Sequence, residues 1–322
     1  NLSLGQNDNN SVKSQLSKLF WGMCIIPIFL PLTLTYAQDN TPKYSNEFLA
    51  IGVGARALGM SNAMTSVVDD VTAGYWNPAA LTDIEFKYQF AAQHASYFAG
   101  VANYDYLAAA VAIDKTSHIA MTFIRFGVDD IPDTRLLFDS NGRINYDNID
   151  FFSANDIALS FSYACAVTFL SGNPFATGLT FGANVKLIWR KVGDFAKAFG
   201  YGLDLSAKYR YHEWDFGVML RDITGTFNAW TIEKGQLQQV FNLTNNQIPS
   251  NSLEITLPRM VLGASRSFKL TDKIGMLTAA DLHFTFDGRR NVLVRSKIGS
   301  IEPQIGLEFD YEGKFFLEQV SG

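Results

Sequence analysis

The residues of this chain whose types could do chemistry are four histidines, a short acidic run and a pair of spaced glycines. His94, His118, His212 and His283 are the only histidines. A zinc or copper site needs such ligands clustered, as in His-x-x-x-His, and these four share no spacing. Asp129, Asp130 and Asp133, with Asp139 further on, have the charge of a cation site. They lack the glycine-centred loop of a calcium ligand set. Gly52-x-Gly54 begins like a dinucleotide fingerprint, but Ala57 stands at the last glycine position and no strand–helix unit surrounds it. No Gly-x-Ser-x-Gly elbow and no phosphate-binding loop occurs. The reading is therefore a non-enzyme with no catalytic residue, no cofactor and no metal. Cys165 stands alone once the targeting segment carrying Cys24 is removed, so no internal disulfide is expected.

The elements that would position these residues begin after a targeting segment, residues 1–37. Lys13 and Lys18 give it a positive start. Leu19 to Leu34 give an apolar stretch broken by Pro27 and Pro31, and Thr35-Tyr36-Ala37 offers a cleavage site. A stretch that short, with two prolines, fits a cleaved signal better than a membrane anchor. Residues 38–47 form a polar leader, expected to be extended and periplasmic. Residues 48–84 are rich in Gly and Ala and low in charge. A short helix is expected over Ala55–Met64 and an irregular or strand-like piece over Val67–Trp76, with a turn at Asn77-Pro78.

From Phe86 the period becomes two, the signature of strands. In Asp156–Phe169, Ile157, Leu159, Phe161, Tyr163, Val167 and Phe169 share one face. Ser160, Ser162, Ala164 and Thr168 share the other. Leu179–Lys191 and Phe199–Tyr211 repeat this, with Asn184, Lys186, Asp204 and Lys208 on their polar faces. In Ala102–Asp114, Tyr104 and Tyr106 oppose Asn103 and Asp105. Further strands are expected over His118–Val128, Trp214–Ile223, Ile255–Ser267, Gly275–Phe286, Asn291–Lys297, Pro303–Tyr311 and from Phe315. Several are longer than the ~5–6 residues usual in a soluble sandwich and reach the ~9–11 that cross a membrane at a tilt. Aromatics make up 14% of the chain and charged residues 18%, against about 25% charged in an ordinary soluble protein. An apolar, aromatic outer face with a polar lumen describes a transmembrane antiparallel β-barrel, residues 85–322, all-β in class. The formal net charge is −5 and no basic patch points to nucleic acid.

Three polar connections, Asp129–Asn155, Ser171–Gly178 and Thr224–Glu254, are long, and long loops belong on the extracellular side of such barrels. Asp129, Asp130, Asp133 and Phe138 in the first, with Phe227 and Trp230 in the third, are candidate contacts for partners or lipid. Thr231–Phe241 could form an amphipathic helix.

The segment Phe48–Leu81, FLAIGVGARALGMSNAMTSVVDDVTAGYWNPAAL, resembles the N-terminal signature of the PorV/PorQ family of type IX secretion outer-membrane proteins, a branch of the FadL-like barrels. That pattern reads roughly FLxIGxGARALGMGxA, then ADD, then YWNPAGL. Ser61, Val68 and Ala80 depart from it by small or apolar swaps. Downstream the resemblance is one of strand rhythm. It implies a barrel of about fourteen strands, so C-terminal strands beyond Gly322 are expected. It also implies that residues 48–84 are a hatch inside the barrel, with Gly52, Gly54, Arg56, Gly59, Asp69, Asp70, Trp76, Asn77 and Pro78 as its structural positions. Arg56 beside Asp69 or Asp70 would be an internal ion pair. The partners implied are the type IX translocon, surface-attachment proteins and secreted cargo with C-terminal signal domains, in outer-membrane lipid. The alternative is a FadL-like channel for fatty acids or other hydrophobic small molecules. It requires an apolar pocket near the hatch and an interrupted strand, for which Pro258 is placed.

Overall fold

The computed structural model describes residues 45–138, 141–167, 178–235, 252–288, 290, 292–296, 299–312 and 315–319. The targeting segment, most of the leader, Asp139 and residues 236–241 lie outside them. The fold is all-β. Among the described residues fourteen strands form one antiparallel sheet. They are β1 (Tyr88–Tyr97), β2 (Ala102–Ala112), β3 (Ser117–Asp133), β4 (Asp150–Ala166), β5 (Leu179–Val192), β6 (Ala196–Tyr211) and β7 (Trp214–Arg221). They continue as β8 (Thr226–Ile232), β9 (Ser252–Thr256), β10 (Arg259–Lys269), β11 (Ile274–Thr285), β12 (Val294–Arg295), β13 (Ser300–Tyr311) and β14 (Phe315–Gln319). Neighbours in sequence pair in register from β1 to β6, as the meander of alternating runs demands. Among the described residues β1 and β14 each pair on one side only.

The alternation becomes two unlike faces. On β5, Phe181, Val185 and Trp189 point outward and are 52%, 48% and 41% exposed, whereas Asn184, Lys186 and Ile188 are buried on the inner face. β2 departs from the rule that aromatic residues face out. Tyr104 and Tyr106 are fully buried inside, where they fill space beside the N-terminal segment. Asp105 lies on the outer face, held by His94 at 2.6 Å and Arg125 at 3.1 Å from the adjoining strands.

Residues 45–84 pack against the inner face. Val53, Met60, Ala63, Val68, Ala79, Ala80 and Leu81 have no exposed surface. Helix α1 (Ala55–Gly59) is shorter than expected because Ser61 and Asn62 turn left-handed, with φ of 52° and 64°. Val67–Trp76 is not strand-like. It ends in a helical turn, α2 (Ala73–Trp76), followed by a 3-10 turn over Pro78–Asp83. Two wall glycines permit the close approach. A Cβ at Gly182 on β5 would overlap the Pro78–Ala79 backbone, and one at Gly217 on β7 would overlap Thr65.

Two expected loops are strand at their ends. Asp129–Asp133 belongs to β3 and Asp150–Asn155 to β4. Within Thr224–Glu254 the chain forms β8 and the start of β9, so Thr231 and Ile232 end a strand; Lys234 and Gly235 are helical, and the rest of the expected helix lies outside the described residues. The Ser171–Gly178 connection joins β4 to β5, at the end of the sheet opposite the β3–β4 connection. It cannot share a side with the other two.

Candidate functional site

The nine positions carried by the resemblance knit the N-terminal segment to itself and to the sheet. Gly52 and Gly54 have φ of 98° and 91°. The Gly52 amide donates to the Tyr75 hydroxyl at 3.1 Å, and the Gly54 amide donates to Gln93 of β1 at 2.6 Å. Arg56 does bond Asp69, at 2.9 Å, and it also clamps Glu308 of β13 at 2.7 Å. Glu308 is the partner that sequence reasoning missed, and it is the more buried of the two. Asp70 turns away from Arg56 and accepts from the Thr72 amide at 2.8 Å. Gly59 faces Glu318 of β14. The Trp76 indole donates to the Val53 carbonyl at 3.0 Å. The Asn77 amide group donates to the Thr65 carbonyl at 2.6 Å, while its side-chain oxygen accepts from the Ala79 amide at 3.2 Å. Pro78 is buried and opens the 3-10 turn, where its fixed φ and missing N–H cost nothing.

Charged residues of the wall complete these anchors. Lys208 reaches Asp83 at 2.7 Å, Asn184 donates to the Gly74 carbonyl at 3.0 Å, and Asp281 accepts from the Thr65 amide at 2.9 Å. The segment is thus held on β1, β5, β6, β11 and β13 by groups that a polar lumen face supplies.

A second feature is a break shared by two neighbouring strand paths. β7 and β8 form one ascending path interrupted at 222–225. β9 and β10 form the descending path beside it, interrupted at Leu257-Pro258. Arg221 pairs with Arg259 below the break and Thr226 with Thr256 above it, so both interruptions lie at one height. Pro258 removes a ladder donor, which explains the descending path. On the ascending path Asp222 has a φ of 55° and turns inward to Lys186, 2.5 Å away. Lys186 also meets Asp204 at 2.7 Å, and all three are buried on the lumen side. Lys186 and Asp204 lay on polar faces visible in the sequence, but Asp222 and the pairing of the three were not.

Above the break β9 pairs with β8, while β10 alone pairs with β11. Ser45–Glu47, the end of the expected leader, packs here against β9 and β10. Asn46 donates to Thr256 at 2.7 Å and accepts from Asn228 at 2.9 Å. Glu47 joins Arg259 at 2.6 Å and Arg290 at 3.0 Å. Burial raises the Asp287 pKa, but hydrogen bonds from Arg290, 2.5 Å away, outweigh it and hold the carboxyl below its ordinary value. A small cavity lies between Ser45, Leu257, Pro258 and Phe286.

Of the candidate partner residues, Asp129, Asp130 and Asp133 lie on β3, and Phe227 and Trp230 lie on β8. Phe138 forms an isolated bridge with Ile144. Trp230 turns inward and bonds Glu254 at 2.6 Å, with Arg190 over its ring. The histidines do not converge, and among the described residues no group of metal-ligating side chains forms.

Neither a protein family nor a characterised protein matches this sequence. Among solved structures, the crystal structure of the Pseudomonas putida toluene transporter TodX is similar, with 14% identity and a TM-score of 0.47. The overlap covers 81% of this chain and 80% of that one. At that score the likeness carries no argument, and the functional reading rests on this chain's own geometry.

Proposed function

We propose that the chain is an outer-membrane β-barrel exported through residues 1–37, with residues 48–84 as its plug, and that it performs no covalent chemistry. The outward apolar faces of β4–β6, strands of 14 to 17 residues, support membrane insertion, since ~9–11 suffice to span. Of the finer roles, the geometry favours passage of hydrophobic small molecules. The observation that carries this is the paired strand break at 222–225 and 257–258, a point where a wall can part without unzipping a continuous ladder. The cavity beside it is about water-sized, with Leu257, Pro258 and Phe286 set among Ser45, Arg259 and Asp287, so the break itself carries the reading.

A second reading is favoured by a different observation. The segment Phe48–Leu81 resembles the PorV/PorQ signature over its whole length, and it supports a role in type IX secretion with translocon, attachment and cargo partners. One experiment separates the two. The full-length protein is drawn from its native envelope in mild detergent, and lipids and proteins in the eluate are identified by mass spectrometry. An apolar small molecule at about one per chain supports passage. Its absence, with translocon subunits or cargo bearing C-terminal signal domains in its place, overturns it for secretion.

A further inference from the structure

β3 and β4 outrun their neighbours. The last β2 partner of β3 is Val128, opposite Ala102, and the last β5 partner of β4 is Ala154, opposite Val192. Beyond those rows Ile131, Pro132 and Asp133 pair only with Phe152, Phe151 and Asp150. A two-stranded ribbon therefore stands clear of the sheet. It starts at a bulge where Asp130 takes a φ of 55°.

A lone two-stranded ribbon is marginal in water, and this one is pinned. Phe152 meets Phe195 edge-on with ring centres 5.0 Å apart, and Arg135 lies 4.3 Å over the same ring. Arg135 bonds Asp133 at 2.6 Å. The Asn145 amide donates to the Leu137 carbonyl at 2.8 Å, and the Asn148 side chain donates to the Leu136 carbonyl at 3.0 Å. Held in this way, the ribbon still turns its apolar side chains out. Leu136, Phe138, Ile144, Tyr146 and Phe151 are 53–72% exposed. A contiguous apolar patch rimmed by polar residues marks a contact site.

The rim decides the occupant. Asp129 is paired with Arg125 and Asp133 with Arg135, which leaves the exposed carboxylates of Asp130, Asp147 and Asp150 against Arg143. We propose that this ribbon docks a protein partner through an apolar groove bordered by lysine or arginine. A second copy would set the same acidic rim against itself across a two-fold interface, and an anionic lipid surface would repel it. The proposal is independent of which finer role the barrel has.

The test places a photo-crosslinking phenylalanine analogue at Phe138, at Phe151 and, as a lipid-facing control, at Phe161, in the full chain in its native envelope. The same positions are repeated with Asp130→Lys and Asp147→Lys together. The result expected is a discrete heterologous protein adduct at 138 and 151 and none at 161. Its yield should fall at least five-fold on charge reversal, while heat-modifiable gel migration shows the barrel intact. Phe151→Ser, crosslinked from 138, gives the same loss without touching a charge. Adducts only with lipid or with another copy, a protein adduct indifferent to both variants, or no adduct would each overturn the proposal.

Discussion

Arg56 ties two carboxylates of very different exposure, and its value to the fold lies with the buried one. Its bond to Asp69 is half in solvent, where ion pairs contribute little. Its clamp on Glu308 is not. Arg56→Met should strand that carboxylate and destabilise the protein by about 3 kcal/mol, read from denaturant unfolding in detergent. Arg56→Met with Glu308→Leu should recover most of the loss. Equal losses in single and double variants would show that the pair does not hold the segment. Asp287 supplies the corresponding pH test. Its folded pKa lies below the unfolded value of roughly 3.9, so its stabilisation is present above that value and is lost as pH falls through the folded pKa. The native protein should lose stability more steeply below about pH 4 than Asp287→Asn, measured by melting across that range. Parallel profiles would contradict the assignment. Arg56 was legible in the sequence as one half of an ion pair with Asp69 or Asp70, and Asp287 was not singled out there. Glu308 was not legible as a partner, because it is 252 positions from Arg56 and only the packing of the N-terminal segment on the inner face of β13 brings them together.

Among the elements, the strands of β4–β6 were readable because a two-residue period is imposed locally. Their boundaries moved where local signals compete with long-range pairing. β8 and β9 looked polar because their inner faces carry Asn228, Glu254 and Thr256, which bind Ser45 and Asn46 of the N-terminal segment, and Thr226, which bonds Asp222. Tyr104 and Tyr106 looked like outward residues until that segment needed apolar neighbours inside. The N-terminal segment was readable as small-residue packing, and its fit depends on backbone approach at Gly182. Gly182→Ala places a methyl where the Pro78–Ala79 backbone lies, which a main chain cannot yield as a flexible side chain would. An overpacking cost of about 2–3 kcal/mol is expected. Residues 45–84 should become sensitive to protease while the heat-modifiable barrel persists. A protease pattern identical to the native one would show that the approach is looser than described.

Among the described residues a polar, ion-paired inner face backs an apolar outer one, with a break shared by the β7–β8 and β9–β10 paths and a ribbon that extends β3 and β4. The ribbon was hidden in a stretch that read as a loop, because strand extensions without neighbours lack the two-sided alternation that identifies a wall strand. The break was half legible: Pro258 was expected to interrupt a strand, and the matching interruption at 222–225 was not. In the proposed function residues 48–84 seal the barrel. Planar-bilayer recording on the purified full-length protein tests it directly, with Gly182→Ala and a deletion of residues 48–84 as comparators. A sealed barrel predicts no sustained conductance from the native chain, intermittent openings from Gly182→Ala and a stable large pore from the deletion. A native protein that conducts as freely as the deletion would contradict it.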